Sequence, residues 1–269
     1  MIGISRKWIN STILRTLDLS LGSNRTDRIR AKSWEKRLAS NQNSDPELKL
    51  VRKLLSHGQV AIDVGAYGAY YTVAMSQSVG LNGRVVAFEP HPRYANVLAN
   101  LLEHKKISNV SVEQIALLDA ARVAHLAVST SAGDQLAGEV HITSSESSDF
   151  HVTEVEVDTL DAVMSSRYTD LDPSLIKIDI EGSELAMING ALVTLKKHRP
   201  VIVCEVEERH CNRYGHTSRD VFDLLNSIDY HAYVYDERSN KLVGDRSGSI
   251  NFVFVHKDDK ARIQQHLNG

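Results

Sequence analysis

The sequence has little cysteine: only Cys204 and Cys211 occur in 269 residues, which is too few for a disulfide framework. It has no apolar run of about 18 residues, the length that a membrane-spanning helix needs. Its first residues also lack the apolar core of a signal peptide. These absences argue against a disulfide-stabilised secreted protein and against an integral membrane protein. They predict a cytoplasmic protein in a reducing compartment.

The sequence has no strong excess of charge of either sign. The formal net charge is −3, with 42% hydrophobic and 24% charged residues, which is ordinary for a soluble globular protein. Such a balance provides no general attraction to nucleic acid, and we expect no nucleic-acid partner. The length suits one large α/β domain, residues 47–269, preceded by a small extension and linker, residues 1–46.

The first forty residues are more basic than the rest of the chain. They hold nine Lys or Arg, three acidic residues and an apolar stripe with helical spacing. The stripe consists of Ile9, Ile13, Leu17 and Leu21. A basic amphipathic helix of this kind is typical of a weak contact with a membrane surface. We favour the alternative, a helix that packs on the protein body or on a second copy in a homodimer, because Ser and Thr interrupt the apolar face.

From residue 47 the hydrophobic pattern alternates between strand and helix periods. Strands are predicted at residues 60–64, 85–88 and 110–117, and helices at residues 69–78 and 92–104. This βαβαβ order is typical of a doubly wound, Rossmann-like sheet. Further strands are predicted at residues 121–128 and 152–157. The polar residues 129–149 between them read as a long loop, which with His141 and His151 is expected to form part of a substrate pocket.

The second half of the chain continues the same pattern. A strand is predicted at residues 175–180, one helix at residues 183–198 and a strand at residues 201–206. Asn189-Gly190, normally a turn signal, lies inside that helical pattern. A helix at residues 218–227 then precedes two strands, residues 230–235 and 250–256, whose polar connection predicts an antiparallel end to the sheet.

A glycine-containing turn follows the first predicted strand. Asp63 lies just before the turn, and Gly65 permits a tight turn where a ligand can approach the backbone. A dinucleotide site requires G-x-G-x-x-G at this point, but the chain has only Gly65 and Gly68, with three tyrosines crowding the entry. No Gly-Lys-Ser/Thr follows, which excludes a P-loop. The turn therefore favours a cofactor with a cationic group over one with phosphates.

An acidic residue, Glu89, ends the second predicted strand 24 residues after Gly65. A carboxylate at this position can accept hydrogen bonds from both hydroxyls of a ribose, which NAD and S-adenosylmethionine share. Together with the phosphate-poor turn, Glu89 favours S-adenosylmethionine. An NAD-dependent oxidoreductase and a non-catalytic binding protein remain the alternative functions.

Three carboxylates, Asp179, Glu181 and Glu184, surround Gly182 at the end of the predicted strand 175–180. The last two also suit a solvated helix start, where negative charge is favourable. Asp179 differs because it falls inside the apolar run. Since open α/β sheets bind ligands at the carboxyl ends of their strands, Asp179 is a candidate site residue.

Three segments together resemble the FkbM-type S-adenosylmethionine-dependent methyltransferases. They are Asp63-Val-Gly-Ala to Thr72, Val-Ala-Phe-Glu89-Pro-His-Pro, and Ile-Lys-Ile-Asp179-Ile-Glu-Gly-Ser-Glu184, with weaker likeness at Thr159-Leu-Asp161 and Val203-Cys-Glu205-Val. The resemblance covers about residues 55–256. It implies a methyltransferase sheet of about seven strands with an antiparallel last strand. It also implies O-methylation, often of sugar hydroxyls in natural products and surface polysaccharides.

The resemblance implies roles for individual residues. The residues expected to bind S-adenosylmethionine are Asp63, Gly65, Ala66, Gly68, Tyr71, Thr72, Glu89, Ala116 and Asp179. Glu89 is expected to hold the ribose, Ala116 to flank the adenine, and Asp63 to lie near the ammonium group. The chain departs from the family at Tyr67 and Ala69, where Asn and Gly are usual.

Four residues are candidates for the chemistry. Asp179 is the first candidate to orient or deprotonate an acceptor hydroxyl, and Glu181 and Glu205 are second candidates. His210, expected in a loop, is a further candidate base because its unperturbed pKa lies near neutrality. The same four residues can also be read as a divalent-cation cluster, but nothing in their spacing requires one. We therefore predict no metal ligand.

Overall fold

The computed structural model describes residues 23–40, 46–129, 140–143, 150–244 and 247–268. The strands are β1 (Val60–Val64), β2 (Arg84–Phe88), β3 (Val110–Glu113), β4 (Ala116–Leu117), β5 (Arg122–Ser129), β6 (Val140–Thr143), β7 (Phe150–Asp158), β8 (Pro173–Ile178), β9 (Val201–Glu205), β10 (Tyr230–Asp236), β11 (Lys241–Val243) and β12 (Asn251–His256). The helices are α1 (Ser23–Ala39), α2 (Pro46–Leu54), α3 (Tyr70–Val79), α4 (Pro92–His104), α5 (Leu160–Arg167), α6 (Glu184–Asn189), α7 (Leu192–His198), α8 (Glu208–Arg213), α9 (Ser218–Asn226) and α10 (Lys260–Asn268).

The larger sheet has eight strands in the order β11-β10-β12-β9-β8-β1-β2-β3. The five strands β3, β2, β1, β8 and β9 are parallel, and β12 runs antiparallel to both β9 and β10. This confirms the doubly wound α/β fold with a reversed last strand. The short β11 adds an eighth strand at the edge. The strand β1 lies between β2, which follows it in the chain, and β8, which comes much later. The strand order therefore changes direction at β1, and the carboxyl ends of these three strands form a crevice.

Along the central strands, successive side chains point to opposite faces of the sheet and so belong to different cores. In β1, Ile62 and Val64 pack into one core with helices α5, α6, α7 and α9. Ala61 points to the opposite face, where the core is formed with α2, α3 and α10. Since successive side chains alternate, Asp63 and its register partner Lys177 in β8 both lie on this second face. A carboxylate and an ammonium group are thus buried side by side near the strand ends.

The sequence pattern predicts one strand over residues 110–117, whereas the structure contains two. The strand β3 ends at Glu113, where its pairing with β2 ends, and β4 pairs instead with β7. The predicted loop 129–149 is also partly wrong, because residues 140–143 form β6 against β5. The result is a second sheet in the order β4-β7-β5-β6, in which His141 belongs to β6 and His151 to β7. Residues 130–139 and 144–149 of the predicted loop lie outside the described residues.

The predicted helix over residues 183–198 is broken into α6 and α7 at Gly190. A Cβ on Gly190 would lie 2.0 Å from the Leu118 carbonyl oxygen, so glycine is required by the close contact with the second sheet. Asp161 then caps the new amino terminus by accepting hydrogen bonds from the backbone of Val193 and Thr194, at 2.9 and 2.7 Å. The Asn-Gly turn signal therefore marks a real helix end.

The helix α1 packs on α4 through Ala31 and Trp34, which share a core with Tyr94 and Leu98. The apolar stripe from Ile9 to Leu21, on which the predicted membrane or dimer contact depends, lies outside the described residues. Among the described helices, none combines the length and the apolar content that a membrane span requires.

Both cysteines are buried free thiols.

Candidate active site

A cavity of about 340 Å³ opens at the carboxyl ends of β1, β2 and β8. It brings together five of the predicted site residues. These are Gly65, Glu89, Ala116, Asp179 and Glu181. Apolar side chains, including Phe88, Ile115 and Leu117, form much of the remaining wall. The cavity is therefore a mostly apolar pocket with a few polar groups, as small-molecule sites usually are.

Glu89 is a buried carboxylate that faces this cavity, with only 3% of its surface exposed. Among the described residues its only hydrogen bond comes from the His91 backbone N–H to Oε1, at 2.9 Å. Burial raises the pKa of Glu89 to about 8, and the nearby Asp63 adds to this shift. A carboxylate with so few donors is suited to a ligand that supplies hydroxyl groups.

Gly65 lines the cavity and also has a structural role at the strand ends. Its φ is +86°, and a Cβ would lie 2.0 Å from the Asp179 carbonyl oxygen. Its N–H and that of Ala66 both donate to the Phe88 carbonyl oxygen at 3.0 Å, so neither N–H is open to a cofactor. Asp179 N–H in turn donates to the Val64 carbonyl oxygen at 3.1 Å. Gly65 thus allows the ends of β1 and β8 to approach closely.

We expect Gly65→Ala to destabilise the protein by about 2 kcal/mol more than Gly58→Ala. Both glycines have φ +86°, so both substitutions place alanine in the left-handed region, but a Cβ on Gly58 meets nothing within 4 Å. The excess therefore measures the collision with Asp179. Urea unfolding of the two variants provides the comparison. Equal losses of unfolding free energy would show that the strand ends separate without cost.

Asp63 and Thr72 lie behind the turn rather than on the cavity wall. Thr72 Oγ1 donates to Asp63 Oδ2 at 2.5 Å, and both side chains are buried. Burial raises the pKa of Asp63 to about 6, although the Thr72 hydrogen bond and Lys177 oppose the shift. Within the described residues, Ala66, Gly68, Tyr71 and Thr72 also stay off the cavity lining, so their predicted roles in cofactor binding remain predictions.

Lys177 is a site residue that the sequence analysis did not select. Only 1% of the side chain is exposed, and Nζ lies 3.3 Å from Asp179 Oδ2 and 5.0 Å from the centre of the Tyr71 ring. Burial lowers its pKa, but Asp179, Glu205 and Asp63 outweigh burial, so the pKa is raised. The sequence does contain a signal for Lys177, because this lysine lies within an apolar predicted strand. A lysine is almost never fully buried unless it is paired with an acidic group.

Glu181, one of the second candidate acids, lines the same cavity as Asp179. Glu181 has a left-handed backbone, with φ +55°, and its Oε2 lies 3.0 Å from His210 Nε2. His210 is not in a loop as predicted but in α8, and it is 3% exposed. A Cβ on Gly182 would lie 2.4 Å from the His210 carbonyl oxygen, so the turn and the helix are in close contact.

Glu205 is the last residue of β9, the strand next to β8, which carries Lys177. Burial raises its pKa to about 7; Asp179 adds to the shift and Lys177 opposes it. Glu205, Glu207 and His210 each place one potential ligand atom within 4.8 Å of the others. Acidic groups cluster in this way in many proteins without a metal, and we assign no metal site to them.

An aromatic cluster closes one side of the cavity and accounts for one departure from the family pattern. The Tyr67 ring lies 5.5 Å from Trp34 of α1 and 4.9 Å from Tyr94 of α4, both edge to face. His91 stacks on Tyr94 at 4.3 Å. Ala69 has φ +64° at the amino terminus of α3. Glycine adopts this left-handed conformation more readily than alanine does.

The sequence matches the family model described as methyltransferase FkbM domain over residues 63–235. Among solved structures, it is similar to a methyltransferase FkbM from Methylobacillus flagellatus KT, with 20% identity, a TM-score of 0.46, and 74% of this chain and 43% of that chain covered. The chain therefore spans less than half the length of that protein.

Two further solved structures are O-methyltransferases. One, from Bacillus cereus in complex with SAH, has 16% identity and a TM-score of 0.46, with 84% of this chain and 90% of that chain covered. The other, a SAM-dependent enzyme from Thermotoga maritima, has 10% identity and a TM-score of 0.43, with 80% and 68% covered. No curated protein sequence matches the chain significantly.

Proposed function

Since the chain belongs to the FkbM methyltransferase family, we propose that it transfers a methyl group from S-adenosylmethionine to a hydroxyl group of a saccharide or saccharide-containing natural product. The observation that carries the choice of donor is Glu89, a buried carboxylate with one internal hydrogen bond that faces an apolar cavity. Two ribose hydroxyls supply the donors that this carboxylate lacks. The family assignment favours this activity over NAD-dependent oxidation.

The cavity residues fit the other parts of the donor. Ala116 and its apolar neighbours Ile115 and Leu117 provide a flat, non-polar wall suited to an adenine ring. Asp179 and Glu181, on the same cavity, place negative charge where a sulfonium is favourable. Bound S-adenosylmethionine supplies an electrophilic methyl group on a positively charged sulfur.

The reaction requires the protein to position the acceptor and to receive one proton. Methyl transfer depends mainly on alignment of the reacting atoms and on exclusion of water. Asp179 forms an ion pair with Lys177 just after β8 and lines the cavity. We therefore assign Asp179 the role of accepting the proton from the acceptor hydroxyl. Glu181 lines the cavity and is assigned the orientation of the acceptor. Glu205 is assigned an indirect role, through its charge on Asp179 and Glu181, and buried His210 contacts Glu181 rather than the cavity.

A transfer assay tests this function directly. We expect purified protein, incubated with S-adenosylmethionine labelled in the methyl group, to label at least one member of a panel of methyl glycosides and oligosaccharides on oxygen. Calorimetric titration with S-adenosylhomocysteine and NAD provides the control, and only the first should bind. Absence of S-adenosylhomocysteine binding would favour the non-catalytic alternative, and transfer to nitrogen alone would contradict O-methylation.

A further inference from the structure

A second cavity, of about 310 Å³, adjoins the first on the side of the turn that contains Gly182 and Ser183. The two cavities share Leu118, Ile142 and Ser183 as their boundary. The second one lies between the second sheet, the helix α6 and the segment that follows α8. A molecule held there would reach the first cavity across Ser183, on the side where Asp179 and Glu181 lie.

Two buried polar atoms on this wall are unsatisfied within the part of the chain that the structure describes. Ser183, 4% exposed, has no hydrogen-bond partner of regular geometry for its Oγ, and Nε2 of His216 has none either. The Tyr214 hydroxyl donates to the Ile142 carbonyl oxygen at 3.0 Å, and its oxygen is close enough to accept an irregular hydrogen bond from Ser183, which leaves the lone pairs of Ser183 Oγ without a donor. Since an unmade hydrogen bond in a buried position is unfavourable, both atoms are suited to a ligand with polar groups.

The charges around the second cavity balance. Arg122 Nη1 lies 2.7 Å from Asp119 Oδ1, and this ion pair forms one side of the cavity. The Asn189 amide contributes a neutral polar group, and Leu185 and Ala186 provide an apolar surface. A wall of this kind suits a neutral ring with hydroxyl groups, because each hydroxyl both donates and accepts. An anionic ligand would gain little from Arg122, because Asp119 already neutralises the charge of its guanidinium group.

We propose that this second cavity is the acceptor subsite and that it binds a neutral sugar ring. Ser183 and His216 hydrogen-bond to the sugar hydroxyls, and the Arg122–Asp119 pair binds a further pair of hydroxyls at the rim. The hydroxyl to be methylated then points past Ser183 toward Asp179. This inference rests on the proposed function, because it places the acceptor of that reaction.

The test uses saturation-transfer NMR on the full chain, with methyl α-D-glucopyranoside, methyl α-D-mannopyranoside and methyl α-L-rhamnopyranoside as probes. Cyclohexanol tests for a purely apolar site, and D-glucuronate tests for an anion site. The variants are Ser183→Ala, His216→Ala and Arg122→Ala. Ser165→Ala, an exposed serine, and Arg219→Ala, an exposed arginine paired with Asp223, are the matched controls. Circular dichroism verifies that each variant folds.

We expect at least one methyl glycoside to bind, and each site variant to weaken its binding about tenfold, as loss of one or two hydrogen bonds would. The control variants should leave its binding unchanged. Glycoside binding that is absent from the wild-type protein, or unaffected by all three site substitutions, would overturn the proposal, as would stronger binding of glucuronate or cyclohexanol. Titration with S-adenosylhomocysteine is a separate measurement, so its failure would count against the donor site and leave this subsite standing.

Discussion

Glu89→Gln is expected to weaken S-adenosylmethionine binding by about 10-fold at pH 7, where ionising the wild-type carboxyl offsets part of its advantage, and, at pH 8.5, to stabilise the ligand-free protein. Hydrogen bonds to a charged group contribute about 1.5–3 kcal/mol each, roughly twice the neutral value. Replacing the carboxylate by an amide therefore removes about half of the stabilisation from two ribose hydroxyls. The amide keeps the shape of the side chain and can still accept the His91 hydrogen bond.

The effect on stability follows from the raised pKa of Glu89. An acid whose folded pKa of about 8 exceeds its ordinary value of 4.5 favours folding fully below that lower value. This contribution is lost as the pH rises from 4.5 to 8, at about 1.4 kcal/mol per unit. A glutamine does not titrate, so the variant should gain a few kcal/mol over the wild type at pH 8.5 compared with pH 4.5.

Two measurements test Glu89. Calorimetry at pH 7 gives the donor affinity, and its dependence on the ionisation enthalpy of the buffer shows whether binding releases a proton from the protonated wild-type carboxyl. Urea unfolding at pH 4.5 and 8.5 gives the stability difference. Glu103→Gln, an exposed acid on α4, is the control and should change neither quantity. Unchanged donor affinity in Glu89→Gln would show that the ribose lies elsewhere.

The second large effect is expected for Asp179→Asn, which should lower kcat about 100-fold, the range typical of a lost general base. Asparagine has the size of aspartate and can still accept a hydrogen bond from Lys177, 3.3 Å away in the wild type. It cannot take the acceptor proton. Affinity for S-adenosylhomocysteine, which lacks the sulfonium charge, should therefore change by less than about threefold, which separates a chemical role from a role in holding the nucleoside.

A comparison with Glu181→Gln decides between the two acids on the cavity wall. We expect this variant to lose less than about tenfold in kcat, because Glu181 is assigned an orienting role. Both variants are measured with the acceptor found in the transfer assay, and thermal unfolding verifies that they remain folded. Full kcat in Asp179→Asn together with a large loss in Glu181→Gln would move the base to Glu181 and its neighbour His210.

Much of the fold was predictable because short-range patterns determine it. The strand over residues 60–64 and the helix over residues 92–104 were predicted with the observed bounds. In β1 an apolar run is covered on both faces. In α4 a proline in the first turn and a capping His91 mark the start. Gly65 and Glu89 were recognisable for the same reason, because each follows directly on a clear strand.

Other features depended on residues far away in the chain. The strand β6 lies in a polar stretch and forms only through its pairing with β5. The break at Gly190 reflects the Leu118 carbonyl oxygen, which belongs to the connection after β4. The burial of His210 depends on how α8 packs, which no local pattern records.

The amino-acid sequence by itself determined the alternation of strands and helices, the family, and the acids that stand at strand ends, since hydrophobic periodicity and motif spacing are local properties. Only the tertiary structure decided that Lys177 lies among Asp63, Asp179 and Glu205, and that Gly65 accommodates the Asp179 carbonyl oxygen. It alone showed a second polar cavity beside the first. The physical reason is that burial, pKa and cavity shape arise from groups brought together by long-range packing, which the spacing of residues along the chain does not specify.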